Sequence, residues 1–92
     1  MKIDKILEAR GNEYGDFATH ASITQNIKKI MKSTKSWGSL SPDKKEALEM
    51  IAHKIARILN GNPEYKDSWS DIVGYAKLID DTLTIGKSNE EG

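Results

Sequence analysis

No cysteine occurs in the 92 residues, which removes a disulfide framework, a thiolate nucleophile and a cysteine-ligated zinc site together. Neither sign of charge is in excess, with Lys plus Arg and Asp plus Glu at 14 each. The chain therefore lacks the positive balance of a general duplex-binding module, and double-stranded nucleic acid is not an expected partner. No segment approaches the roughly 20 apolar residues that span a bilayer, and Met1-Lys-Ile-Asp-Lys carries no apolar signal core. The expectation is a cytoplasmic protein without a membrane partner. Strand-like alternation, internal repeats and low-complexity tracts are also missing. A chain this short buries only about two-thirds of its unfolded surface, so self-association or a ligand is expected to supplement its stability.

Apolar residues recur at spacings of three and four along most of the sequence, which reads as all-α. A short first helix over 3–10 sets Ile3, Ile6 and Leu7 on one side and stops at Gly11-Asn12. Asp16 then caps a second helix over 17–32, with Phe17, Ile23, Ile27, Ile30 and Met31 facing inward. A polar loop over 33–40 contains Trp37. Ser41-Pro42 opens a third helix over 42–60, because serine caps free amides and proline suits the first turn. Asn60-Gly61, a pair that tolerates the left-handed conformation, closes it. The last helix starts at Asp67 or Ser68 and runs to 83, with Trp69, Ile72, Ala76, Ile79 and Leu83 inward and Tyr75 at the margin. Mid-helix Gly74 costs about 1 kcal/mol relative to alanine, which predicts a close helix approach there. These elements describe a compact four-helix bundle with a short first helix, one domain over 1–85 and a polar tail over 86–92.

The third helix carries two opposed faces. Leu48, Ile51, Ile55, Ile58 and Leu59 form an apolar stripe, whereas Glu46, Glu49, His53 and Arg57 fall within roughly 80° of arc on the other side. Several chemistries can be set aside from the residue inventory. No nucleophile elbow, phosphate loop of the Gly-x-x-x-x-Gly-Lys type or His-Glu-x-x-His helix is present, and neither His20 nor His53 is followed by aspartate. Two readings remain. One is metal chemistry on carboxylates: Glu46 and Glu49 share a face, as do Asp67 and Asp71, and such hard oxygen donors suit Mg²⁺ and water activation at a phosphoanhydride.

The other is ligand capture. A nucleotide cage needs cationic donors for phosphates and aromatic planes for bases. Arg57, Lys54, His53 and Arg10 are the candidate donors, His20 sits beside the 14–17 turn, and Tyr14, Trp37, Trp69 and Tyr75 are the candidate stacking planes. A domain this small is expected to enclose such a ligand as a homo-oligomer, with sites at subunit interfaces.

Two resemblances attach to these residues. Glu46-x-x-Glu49, followed later by Asp71, resembles the all-α nucleoside triphosphate pyrophosphohydrolases of the MazG and dimeric dUTPase group, whose signature is Glu-x-x-Glu on one helix and Glu-x-x-Asp on a later one. Here Ser68 stands three residues before Asp71, and Asp67 is one residue out of register. That resemblance implies Mg²⁺ held by Glu46, Glu49 and Asp71, with Asp67 as a further acid. The strings Arg10-Gly-Asn-Glu-Tyr-Gly-Asp-Phe, Glu46-Ala-Leu-Glu-Met-Ile-Ala-His-Lys-Ile-Ala-Arg and Asp67-Ser-Trp-Ser-Asp-Ile-Val-Gly-Tyr-Ala are similar to a small helical family of bacteriophages and prophages without an assigned function. It covers most of the chain and implies residence in the cytoplasm of an infected or lysogenic bacterium. It points to a role in nucleotide pools or in countering host immunity. The favoured expectation is a cofactor-free sponge that sequesters a cyclic or ADP-ribose-derived nucleotide signal. The alternatives are the Mg²⁺-dependent pyrophosphohydrolase and a protein-binding inhibitor of a host enzyme.

Overall fold

A computed structural model describes residues 2–83, excluding the side chains of residues 2–4 and 10. The tail expected at 86–92, and the expected roles of Ile3 and Arg10, lie outside the described residues. Among the described residues four helices follow one another: α1 Lys2–Tyr14, α2 Phe17–Lys32, α3 Pro42–Asn60 and α4 Lys66–Asp80, with a 3-10 turn over Trp37–Ser39. No strand occurs among the described residues. The bounds of α2 and α3 are those the spacing predicts, and the all-helical class holds.

The helix ends show which local signals won. Asp16 caps α2, accepting the Thr19 amide at 3.1 Å. The stop expected at Gly11-Asn12 is wrong: α1 continues to Tyr14 and turns at Gly15, whose φ of 81° is the left-handed region glycine favours. The Gly15 amide bonds the Gly11 carbonyl at 2.9 Å, so Gly11 lies one turn inside the end rather than beyond it. At the start of α3 Pro42 occupies the first turn as expected, but the Ser41 hydroxyl donates to the Asp43 carboxylate instead of capping an amide. Lys66 rather than Asp67 or Ser68 begins α4, which ends at Asp80, three residues short of the expected end.

Gly61 is not left-handed either, with φ −128°. It is required for a different reason. A side chain there would lie 2.1 Å from the Glu13 carbonyl oxygen and 2.4 Å from Tyr14 Cα, so the end of α3 passes directly against the end of α1. The Asn62 amide donates to the Glu13 carbonyl at 2.7 Å. Asn60 Nδ2 donates to the Tyr14 and Asp16 carbonyls, each at 2.9 Å. These bonds pin the α1–α2 turn onto the end of α3.

Helix α3 is central, packing most extensively on α4 and next on α2, while α1 touches α2 and α3 at fewer points. Its buried apolar residues are Ala47, Ala52 and Ala56, whose small side chains let the neighbouring helices approach closely. Several residues expected inside are instead exposed: Ile6, Leu7, Phe17, Ile30, Leu48, Leu59, Trp69 and Leu83. The larger residues flank the alanine contacts instead of filling them. Nothing lies within 4 Å of a side chain added at Gly74, so helix packing does not explain that glycine.

Candidate functional site

The α1–α2 turn held by Asn60 sets Tyr14 at the mouth of a cavity of about 660 Å³ bounded by α1, α2 and α3. Leu7, Tyr14, Phe17, His20, His53 and Arg57 contribute side chains to its wall. Helical spacing brings the α3 pair together, since His53 and Arg57 are four residues apart and share a face.

Arg57 places its guanidinium carbon 3.9 Å from the centre of the Tyr14 ring, a cation-π contact that orients the planar donor fork. No ion pair among the described residues engages it. The other edge of Tyr14 is braced by Tyr65, whose ring meets it at 5.8 Å in a T-shaped contact. Phe17 is 78% exposed at the cavity wall, which leaves an aromatic face open to a ligand.

Deeper in, two imidazoles meet edge to face. His20 Nε2 lies 3.3 Å from His53 Nδ1 and 3.3 Å from Thr24 Oγ1. The Thr24 hydroxyl also donates to the His20 carbonyl at 2.9 Å. With that proton so used, the tautomer that fits the network has the His20 proton on Nε2, His53 accepting at Nδ1 and the His53 proton on Nε2. His20 Nδ1 is buried without a partner among the described residues.

Both rings are held neutral. Burial, followed by the Arg57 charge, lowers the pKa of His20. Burial first, then Arg57, His20, Lys54 and Lys28, lowers that of His53 to about 4. Among the described residues Arg57 is thus the cation of this wall at neutral pH, and the imidazoles act as neutral donors and acceptors.

The remaining candidates among the described residues lie elsewhere. Lys54 is buried and bonds Asp71 at 2.8 Å. Asp71 and Tyr75 line a separate groove on α4. Trp69 donates its indole N–H to the Pro63 carbonyl at 2.8 Å, and Trp37 lies under the Lys45 ammonium at 5.9 Å. Of the acids, Glu49 faces Lys32 at 3.8 Å, while Glu46 and Asp67 are exposed. No group of three or more histidines and carboxylates that could hold a metal ion occurs among the described residues. The structure therefore gathers Tyr14, His20, His53 and Arg57 at one place and disperses the other described candidates.

Sequence reasoning missed four contributors. Phe17 and Leu7 were assigned to the interior by periodicity alone, yet they face the cavity. Thr24, which fixes the histidine tautomers, was detectable as the residue four positions after His20. Asn60 resembles any helix end until its two carbonyl partners from a distant turn are seen.

A family model described as a domain of unknown function, DUF6378, matches residues 2–83. No curated protein and no solved structure matches the chain.

Proposed function

We propose that this chain, a member of the DUF6378 family of unknown function, binds a nucleotide-derived molecule in the Tyr14–Arg57 cavity and holds it intact. The observation that carries the reading is Arg57: a guanidinium outside every ion pair among the described residues, oriented by Tyr14 on the wall of a cavity of about 660 Å³. That volume lies within the roughly 300–1,000 Å³ of small-molecule sites. The planar fork of Arg57 suits bidentate contact with a phosphate. The open face of Phe17 offers a stacking plane for a base, and His53 Nε2–H supplies a neutral donor.

Retention is favoured over cleavage because two of the acids that a Mg²⁺-dependent pyrophosphohydrolase would use, Glu49 and Asp71, face lysines. In its finer form the proposal is a bacteriophage-type sponge in the cytoplasm of an infected or lysogenic bacterium, capturing a cyclic or ADP-ribose-derived immune signal without a resident cofactor. Equilibrium dialysis against nucleoside monophosphates and triphosphates, cyclic dinucleotides and ADP-ribose tests it. One of these should be retained by the wild type and lost in Arg57→Ala. Retention of none, or equal retention by the variant, would overturn the proposal.

A further inference from the structure

The α3–α4 hairpin has a second face, turned away from the histidines, that the other described residues leave uncovered. Leu48, Ile51, Ile55 and Leu59 recur along α3 at spacings of three and four, Trp69, Ala76 and Ile79 recur along α4, and Leu83 follows just past its end. Between the two helices runs an apolar groove of about 280 Å³, which Leu48, Ile51, Ala76, Ile79 and Leu83 help to line. Leu48, Leu59, Trp69 and Leu83 are 41%, 67%, 52% and 48% exposed. Isolated exposed leucines are ordinary on a protein surface, but a continuous stripe across two packed helices is not.

We infer that a second copy of this chain covers this face, α3–α4 hairpin against α3–α4 hairpin about a two-fold axis. Two observations favour a copy over an unrelated partner. The first is what the core lacks: among the described residues no large side chain is fully buried, and the buried hydrophobic residues are three alanines. The leucines and isoleucines of the stripe are the residues that would form the missing layer between two hairpins, in the manner of a four-helix bundle. The second is area. With aromatic side chains presenting roughly 150–250 Å² when open and leucines somewhat less, the exposed fractions and the half-buried isoleucines amount to about 400–500 Å² of apolar surface. One side of a standard interface buries about 800 Å², of which somewhat over half is apolar. The face thus supplies the apolar half of such an interface, and an isologous contact uses the same patch twice. The Tyr14–Arg57 cavity, on the α1–α2 side of α3, stays outside this contact.

Sedimentation equilibrium of the wild-type chain across the micromolar range tests the inference. The expected result is a reversible dimer. Leu59→Lys and Leu48→Lys should each weaken it by about tenfold or more, with helix content checked by circular dichroism. Leu78→Lys provides the control, because Leu78 is exposed on the other flank of α4, in the groove with Asp71 and Tyr75. It should leave the dimer intact. A wild-type monomer at every concentration would overturn the inference, as would a dimer that Leu78→Lys disrupts and Leu59→Lys does not. Nucleotide retention by a monomeric Leu59→Lys variant would separate the fate of this interface from that of the cavity.

Discussion

Two glycine-to-alanine substitutions should move stability in opposite directions. At Gly61 the added methyl would sit 2.1 Å from the Glu13 carbonyl oxygen and 2.5 Å from the Tyr14 carbonyl carbon. Both neighbours are backbone, so no side chain can rotate away. Overpacking of this kind costs about 1–3 kcal/mol, and moving α1 aside breaks the 2.7 Å Asn62–Glu13 bond, which is worth about 1 kcal/mol more. Gly61→Ala should therefore destabilise the fold by about 2–4 kcal/mol. At Gly74 nothing lies within 4 Å of the new methyl, the residue is inside α4, and alanine gains about 0.8–1 kcal/mol of helix propensity. Thermal unfolding followed by circular dichroism at matched concentrations reads both, since each kcal/mol moves the midpoint by about 4–8 °C in a domain of this size. A Gly61→Ala midpoint within a few degrees of wild type would refute the docking of α1 on α3. A lowered Gly74→Ala midpoint would show a close neighbour at that position.

Three further outcomes follow from the charged and titratable groups. Asp71→Asn strands the buried Lys54 ammonium and should cost about 2–3 kcal/mol in urea unfolding, whereas Lys54→Met leaves a half-exposed carboxylate that rehydrates and should cost about 1 kcal/mol or less; equal costs would contradict the burial of Lys54. His53 binds its proton near pH 4 in the fold but near 6.5 when unfolded, so between those values the unfolded chain holds more protons. The His53 contribution to stability should be full above pH 6.5, fall as pH is lowered towards 4 and level off below it. Urea midpoints should show that slope together with the smaller one that the lowered His20 adds, and a His53→Gln variant should reduce it. Tyr14→Leu removes the plane that orients Arg57 and should weaken retention of the dialysed nucleotide by less than Arg57→Ala does; loss of equal size would mean that Tyr14 itself contacts the ligand.

Much of the fold was legible because it rests on local chemistry. Asp16, Pro42 and the three-to-four spacing fixed α2 and α3 to the residue. Failures arose where distant backbone decided the outcome. Gly61 looks like a left-handed helix end and is instead a contact point with α1, and Gly11 looks like a stop although Gly15 makes the turn. Periodicity located a two-faced α3, but large apolar residues were assumed to be the buried ones, whereas the close contacts belong to Ala47, Ala52 and Ala56. For the site, His53 and Arg57 were readable as one helix face. Their meeting with Tyr14 and His20 depends on Asn60 tying a turn 44 residues away to the end of α3, a long-range bond that no spacing rule reveals.

The central claim is retention of an intact nucleotide at the Arg57 wall. Its most direct test is mass spectrometry of the small molecules left free, and of those released by heat, after the protein is incubated with the nucleotide panel with and without Mg²⁺. The account predicts that one nucleotide is depleted from solution and recovered chemically unchanged from the heated protein, independent of Mg²⁺. Mg²⁺-dependent conversion of a triphosphate to monophosphate and pyrophosphate would contradict it.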